Sequence, residues 1–313
     1  MTQTARTGGG RGEQSMVPEA EFESYYGRQI IKTPTWKTPD VPLYLFLGGM
    51  AGASAVLAEG AALQGNDRLE HAARWVAAAG AGAGTVALVH DLGRPERFLN
   101  MLRVLKPTSP LSVGSFVLAP FSALSSAAVA SQVTGRLPLL GRLAGVGAAA
   151  FGPPLATYTA ALLANTAVPA WHEAHRELPF VFAGSGATAA GGMAMLLTPP
   201  SAAGPARRMA VAGAALELAA SESIKRQGLV AEPYREGRPG RLMRVASRMT
   251  AGAAVLSLVA GRSRLASTLC GATFVTASVL TRFGVFEAGI ASAKDPKYVV
   301  VPQRERLARR TAG

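Results

Sequence analysis

The sequence predicts an all-α, integral membrane protein of eight transmembrane helices arranged as two four-helix bundles. Three observations carry this. Charged residues fall into short blocks, and the segments between them have the roughly 20-residue length that a helix needs to cross a ~30 Å hydrocarbon core. Ala and Gly supply much of the apolar content, which holds the mean hydropathy to +0.22 without breaking the pattern. Finally, Pro42-Leu-Tyr-Leu-Phe-Leu-Gly-Gly-Met-Ala-Gly-Ala is echoed 137 residues later by Pro179-Phe-Val-Phe-Ala-Gly-Ser-Gly-Ala-Thr-Ala-Ala. Ala/Gly-rich helices resemble one another by composition alone, so the alternatives are a parallel repeat of two units and a chance likeness.

Taken in order, Thr2 to Ser15 is polar and Gly-rich, so neither a signal peptide nor order is expected over residues 1–15. From Tyr25 to Lys37, aromatics, cations and prolines form the mixture usual at headgroup level, which makes 1–40 a disordered N-terminus with an interfacial segment. Spans are expected at 41–63, 72–90, 111–132 and 143–164, within a first bundle over 41–164. Four more, at 178–198, 206–224, 243–260 and 264–286, build a second bundle over 165–286, followed by a cytoplasmic tail at 287–313. Gly48, Gly49, Gly52, Gly80, Gly82 and Gly84 permit the close backbone approach on which helix association in lipid depends. Pro120, Pro153 and Pro154 lie inside spans and are expected to kink them.

Twenty-one Lys and Arg residues lie on the side that holds both termini, against eight on the other. The positive-inside bias then puts the termini in the cytoplasm, as a multi-pass protein of the plasma membrane. A basic face is equally a docking surface for an acidic partner, so the bias has two explanations.

No catalytic residue is assigned in this chain. Cys270 is the only cysteine, so an iron–sulfur cluster is not expected here. His71 and His90 bracket one span, about 28 Å apart along its axis, too far to share a haem iron. His172 and His175 have no evident third ligand, and no metal site is expected.

Asp91-Leu-Gly-Arg-Pro-Glu-Arg-Phe, with Lys106-Pro-Thr-Ser-Pro-Leu-Ser, resembles the loop after the second helix of polysulfide reductase NrfD/PsrC-type membrane subunits. The resemblance runs from about Tyr25 to Arg306 and includes Leu155-Ala-Thr-Tyr-Thr-Ala and Arg282-Phe-Gly-Val-Phe-Glu-Ala-Gly. It looks closest to the versions associated with formate dehydrogenases. The resemblance implies a quinone-interacting membrane anchor that exchanges electrons between an iron–sulfur subunit and menaquinone or ubiquinone. Implied partners are a four-cluster ferredoxin-like iron–sulfur subunit, a molybdopterin catalytic subunit and membrane lipids, with no nucleic acid. It also implies that Tyr158 hydrogen-bonds the quinone head group, although Ala160 stands where the family often has Gly.

A quinone site requires hydrogen-bond partners for two carbonyl oxygens and a proton supply. Trp36, His90, Asp91, Arg94, Tyr158, Asn165, Trp171 and His172 converge on the termini face if the first four spans form a bundle, and these are the candidate quinone-binding residues. Arg97, Arg103 and Lys106 are candidates for partner docking. Glu59, Glu217 and Glu222 are candidates for a proton path, the alternative for the first two being a structural partner such as Arg282 or Tyr44. A secondary transporter, or a pure anchor without a quinone site, are the other readings of the whole chain.

Overall fold

Residues 29–259 and 263–311 are described by the computed structural model. The expected disorder of residues 1–15, and the part of the interfacial segment from Tyr25 to Arg28, lie outside them. The described residues are all helical, with no strand among them. Asn66 caps the second helix by accepting from the Leu69 amide at 3.3 Å, Ser109 caps the fourth, and left-handed Gly93 (φ 72°) ends the second.

The long helices are α1 (Asp40–Leu63), α2 (Asp67–Leu92), α4 (Pro110–Thr134), α5 (Pro138–Ala164), α7 (Leu178–Leu197), α8 (Gly204–Lys225), α10 (Gly237–Val259) and α11 (Arg264–Lys294). Of these α1, α2, α4, α5, α7 and α11 are long and apolar enough to cross a membrane, which makes this a multi-pass membrane protein. The other two, α8 and α10, occupy the expected sixth and seventh positions as helices but are not among those six. Arg207, Arg208, Glu217 and Glu222 lie on α8, and Arg238, Arg241, Arg244 and Arg248 on α10.

Short helices fill segments that the sequence pattern left as loops: α3 (Pro95–Met101), α6 (Pro169–Glu173), α9 (Glu232–Arg235, after a 3-10 turn) and α12 (Lys297–Thr311). The expected tail at 287–313 is thus largely helical. Tertiary contacts order it: Glu287 pairs with Arg238 at 3.3 Å, and Lys297 pairs with Glu232 at 2.7 Å. That hydrogen bond holds the Lys297 ammonium above the usual lysine range and the Glu232 carboxylate below its own. The three prolines at 120, 153 and 154 sit within continuous helical segments; the Thr157 hydroxyl donates to the Pro153 carbonyl at 2.9 Å.

Connections fall into two sets. Segments 64–66, 135–137 and 198–203 are short and lie on one face, whereas 93–109, 165–177, 226–236 and 295–311 lie on the face of the termini. Successive helices pair as hairpins, α1 with α2, α4 with α5, α7 with α8 and α10 with α11. At the centre α1, whose apolar stretch is 83% buried, packs on α5 and α7. A methyl group at Gly186 would lie 2.7 Å from the Gly49 carbonyl oxygen, so α1 and α7 cross at a point only glycine allows.

Segment 165–177 is pinned inside this scaffold. Trp171 is fully buried and its Nε1 donates to the Val285 carbonyl at 2.8 Å; the Ala170 amide donates to Ser292 and its carbonyl accepts from the Tyr234 hydroxyl. Gly289 is where α11 passes under the Trp171 ring.

Candidate functional site

On the termini face three chain segments meet. The Lys37 amide donates to Asp91 Oδ1 at 2.9 Å and its ammonium donates to the His90 carbonyl at 3.2 Å. His90 Nδ1 lies 2.7 Å from Asp40 Oδ2, with the imidazole itself 72% exposed. These contacts fasten the segment entering α1 to the end of α2. Trp36 stacks on Trp171 with ring centroids 5.6 Å apart, which adds the segment after α5 to the same cluster.

Tyr158 sits on α5, about 10 Å below Asn165 at 1.5 Å per residue. Its half-buried ring lies against Gly114 of α4, where a methyl group would overlap the ring. The Tyr158 hydroxyl has no hydrogen-bond partner among the described residues. A half-buried phenol with its donor unused is a ready hydrogen-bond partner for a ligand carbonyl. Asn165 is exposed at the end of α5, and exposed His172 is held by the Ala164 carbonyl, 3.1 Å from its Nδ1. Trp171, wholly buried and with its donor used, supports Trp36 from behind.

The basic candidates are all exposed around α3. Arg94 precedes that helix, Arg97 donates to the Leu92 carbonyl at 3.0 Å, Arg103 reaches Asn100, and the Lys106 amide is held by Ser112.

The three acids separate. Glu222 is 53% exposed at the end of α8 and pairs with Lys225, an ordinary helix-end arrangement. Glu217 is 3% exposed and accepts from the Thr281 hydroxyl at 2.6 Å, with buried Arg282 as its electrostatic partner. Arg282 donates to the Phe182 carbonyl and lies over the Phe182 ring at 3.8 Å. Glu59 finds neither Arg282 nor Tyr44: its partner is Arg74, 3.3 Å away on the neighbouring helix, and Arg74 also holds Glu70 at 2.7 Å.

Arg74 is one of the eight cations opposite the termini, and its neighbours form a cluster that the sequence pattern did not single out. In the fold, Glu70, His71, Arg74, Gln132 and Arg142 line a polar cleft of about 270 Å³ that opens opposite the termini. Beneath it, between Glu59, Arg74, Ser125 and Gly145, lies a cavity of about 10 Å³, roughly room for one water. The i,i+4 spacing of Glu70 and Arg74 is the one signal of this cluster that the sequence carries. A separate 360 Å³ groove, lined by Leu47, Met50, Trp75, Met193 and other apolar groups, offers no side-chain donor comparable to the Tyr158 phenol except the indole of Trp75. Among the described residues no three His, Cys, Asp or Glu side chains come together as a metal site.

A bundle of apolar helices with polar clusters at both faces defines a multi-pass membrane protein. The chain belongs to the polysulphide reductase, NrfD family, which matches residues 32–213, from just before α1 into α8 and more than half of the sequence. Among curated proteins none matches the chain.

Proposed function

We propose that this protein is the membrane-anchoring, quinone-interacting subunit of a multi-subunit oxidoreductase of the formate dehydrogenase or polysulfide reductase kind. The observation that carries the reading is the unused hydroxyl of half-buried Tyr158, on the same half of the bundle as the Trp36, Lys37, His90 and Asp91 cluster. A quinone reduced there takes two electrons from an iron–sulfur subunit on the termini face and two protons, and leaves as the quinol. Tyr158 would donate to one carbonyl oxygen. Asp91 and the solvent-exposed His90 would relay protons from the same face. NrfD family membership supports pairing with iron–sulfur and molybdopterin subunits.

The reading includes eight spans in two related four-helix units, with α8 and α10 crossing beside α7 and α11, and termini in the cytoplasm. The Glu59–Arg74–Glu70 cluster under the far cleft supports a proton path toward the opposite face. Removing this chain from the complex should abolish quinone-linked activity and leave dye-linked activity of the catalytic subunit intact; quinone turnover without it sinks the assignment.

Partner docking gives a second test. Arg103→Glu with Lys106→Glu reverses two exposed charges that make no ion pair among the described residues. Placing like charges against an acidic iron–sulfur subunit should weaken its retention on membranes about tenfold or more. Unchanged retention at low and high salt assigns these cations to lipid headgroups instead.

A further inference from the structure

The outward face of α10 is divided by chemistry. Arg241, Arg244 and Arg248 follow one another at i, i+3 and i+7, the spacing of a single helix face, and all three are exposed. Arg244 donates to the Arg235 carbonyl, reaching back toward the termini face; Arg241 and Arg248 have no partner among the described residues. Val245, between Arg244 and Arg248, and Gly252 and Val255, further along, share this face and are exposed as well, and a methyl group at Gly252 would meet open space. Leu256 and Leu258 widen the apolar part.

The position of α10 makes these cations unusual. It runs alongside α11, a helix apolar and long enough to span, with Arg238 paired to Glu287 and Met243 packed on Gly284. Arg248 lies eleven residues into α10, about 16 Å along its axis. Bare guanidinium groups at that depth facing acyl chains are costly and require an anionic partner or a route to the headgroups.

We infer that this face of α10 is a docking site for an anionic phospholipid, whose phosphate is held by Arg241, Arg244 and Arg248 and whose acyl chains lie on Val255, Leu256 and Leu258. The occupant has to be anionic at one end and apolar along the rest. A phospholipid meets both demands in a single molecule, and guanidinium groups bind phosphate in two-point fashion. An acidic helix from another subunit would satisfy the cations but would not need the apolar lower half to be exposed in the isolated chain.

The inference rests on α10 crossing the bilayer, so the test separates the two. The full chain is placed in nanodiscs of phosphatidylcholine and phosphatidylglycerol, and the lipids it retains are read by native mass spectrometry. Wild type should retain phosphatidylglycerol preferentially. Arg241→Gln with Arg248→Gln should lower that preference about fivefold per arginine. Arg241→Lys with Arg248→Lys should keep most of it, and Arg136→Gln on the other face should leave it unchanged. Equal retention by the wild type and the double glutamine variant overturns the proposal, as does a wild type without preference. A Gly252→Cys chain lacking Cys270 then tells which reading failed. Reaction with a membrane-impermeant maleimide removes α10 from the bilayer and with it the eight-span reading. Protection of that cysteine together with indifference to phosphatidylglycerol removes the lipid site alone.

Discussion

Tyr158→Phe should slow quinone turnover roughly five- to hundredfold, the range expected from losing one buried hydrogen bond of about 1–3 kcal/mol. The substitution deletes a hydroxyl that makes no hydrogen bond among the described residues and keeps the ring that packs on Gly114, so the fold should be unaffected. Electron transfer to a soluble dye at the catalytic subunit should proceed at the wild-type rate, since that path does not involve the quinone. Assays of both activities on the same membranes decide the matter. Normal quinone turnover in the variant moves the site elsewhere, and a fall in both activities points to failed assembly.

The second large effect belongs to the buried charges between α7, α8 and α11. Arg282 has no exposed surface, and its Nε and Nη1 atoms have no hydrogen-bond partner among the described residues. Its charge is compensated by Glu217 and by the face of Phe182. Arg282→Met should therefore destabilise the protein by about 3–5 kcal/mol, because a buried carboxylate is left without its cation, facing only the hydroxyls of Thr281 and Thr188. Adding Glu217→Gln should restore most of that loss, since the neutral amide no longer needs a cation. Thermal unfolding in detergent measures both. If the single variant is as stable as the wild type, or the double variant is worse than the single, Glu217 and Arg282 are not coupled as described.

Much of the helical order was legible because lipid imposes a length and a polarity on every crossing segment. Six helices could be read from apolar runs such as Pro42–Leu57 in α1, although α2 and α5 begin five residues before the expected spans and α11 continues to Lys294, because helix extends past the apolar stretch. Hydropathy speaks less clearly for α8 and α10 as spans, for a physical reason: Arg207, Arg208, Glu217 and Glu222 dilute the first and Arg238 to Arg248 the start of the second. Inter-helix pairing was illegible. Glu59 and Arg74 are fifteen residues apart across a hairpin, and which pair faces which depends on the tightness of the turn at 64–66. Trp171 gave the same difficulty in reverse. An aromatic in a polar segment reads as an interface anchor, and only the contacts to Val285 and Gly289 reveal that the segment folds inward. The meeting of Lys37 with Asp91 and His90 was within reach of the sequence, because alternating helices return the chain to the same face.

Gly49 and Gly186, the residues at which α1 crosses α7, are separated by the same 137 residues as Pro42 and Pro179. Corresponding points of two copies touch each other only on the two-fold axis that relates them. On the two-unit reading, the crossing of α1 and α7 would mark the boundary between two like units, joined through the segment at 165–177. The two halves are not equivalent in charge: Arg74 faces Glu59 in one, and Arg282 faces Glu217 in the other, at positions that do not correspond under the 137-residue offset.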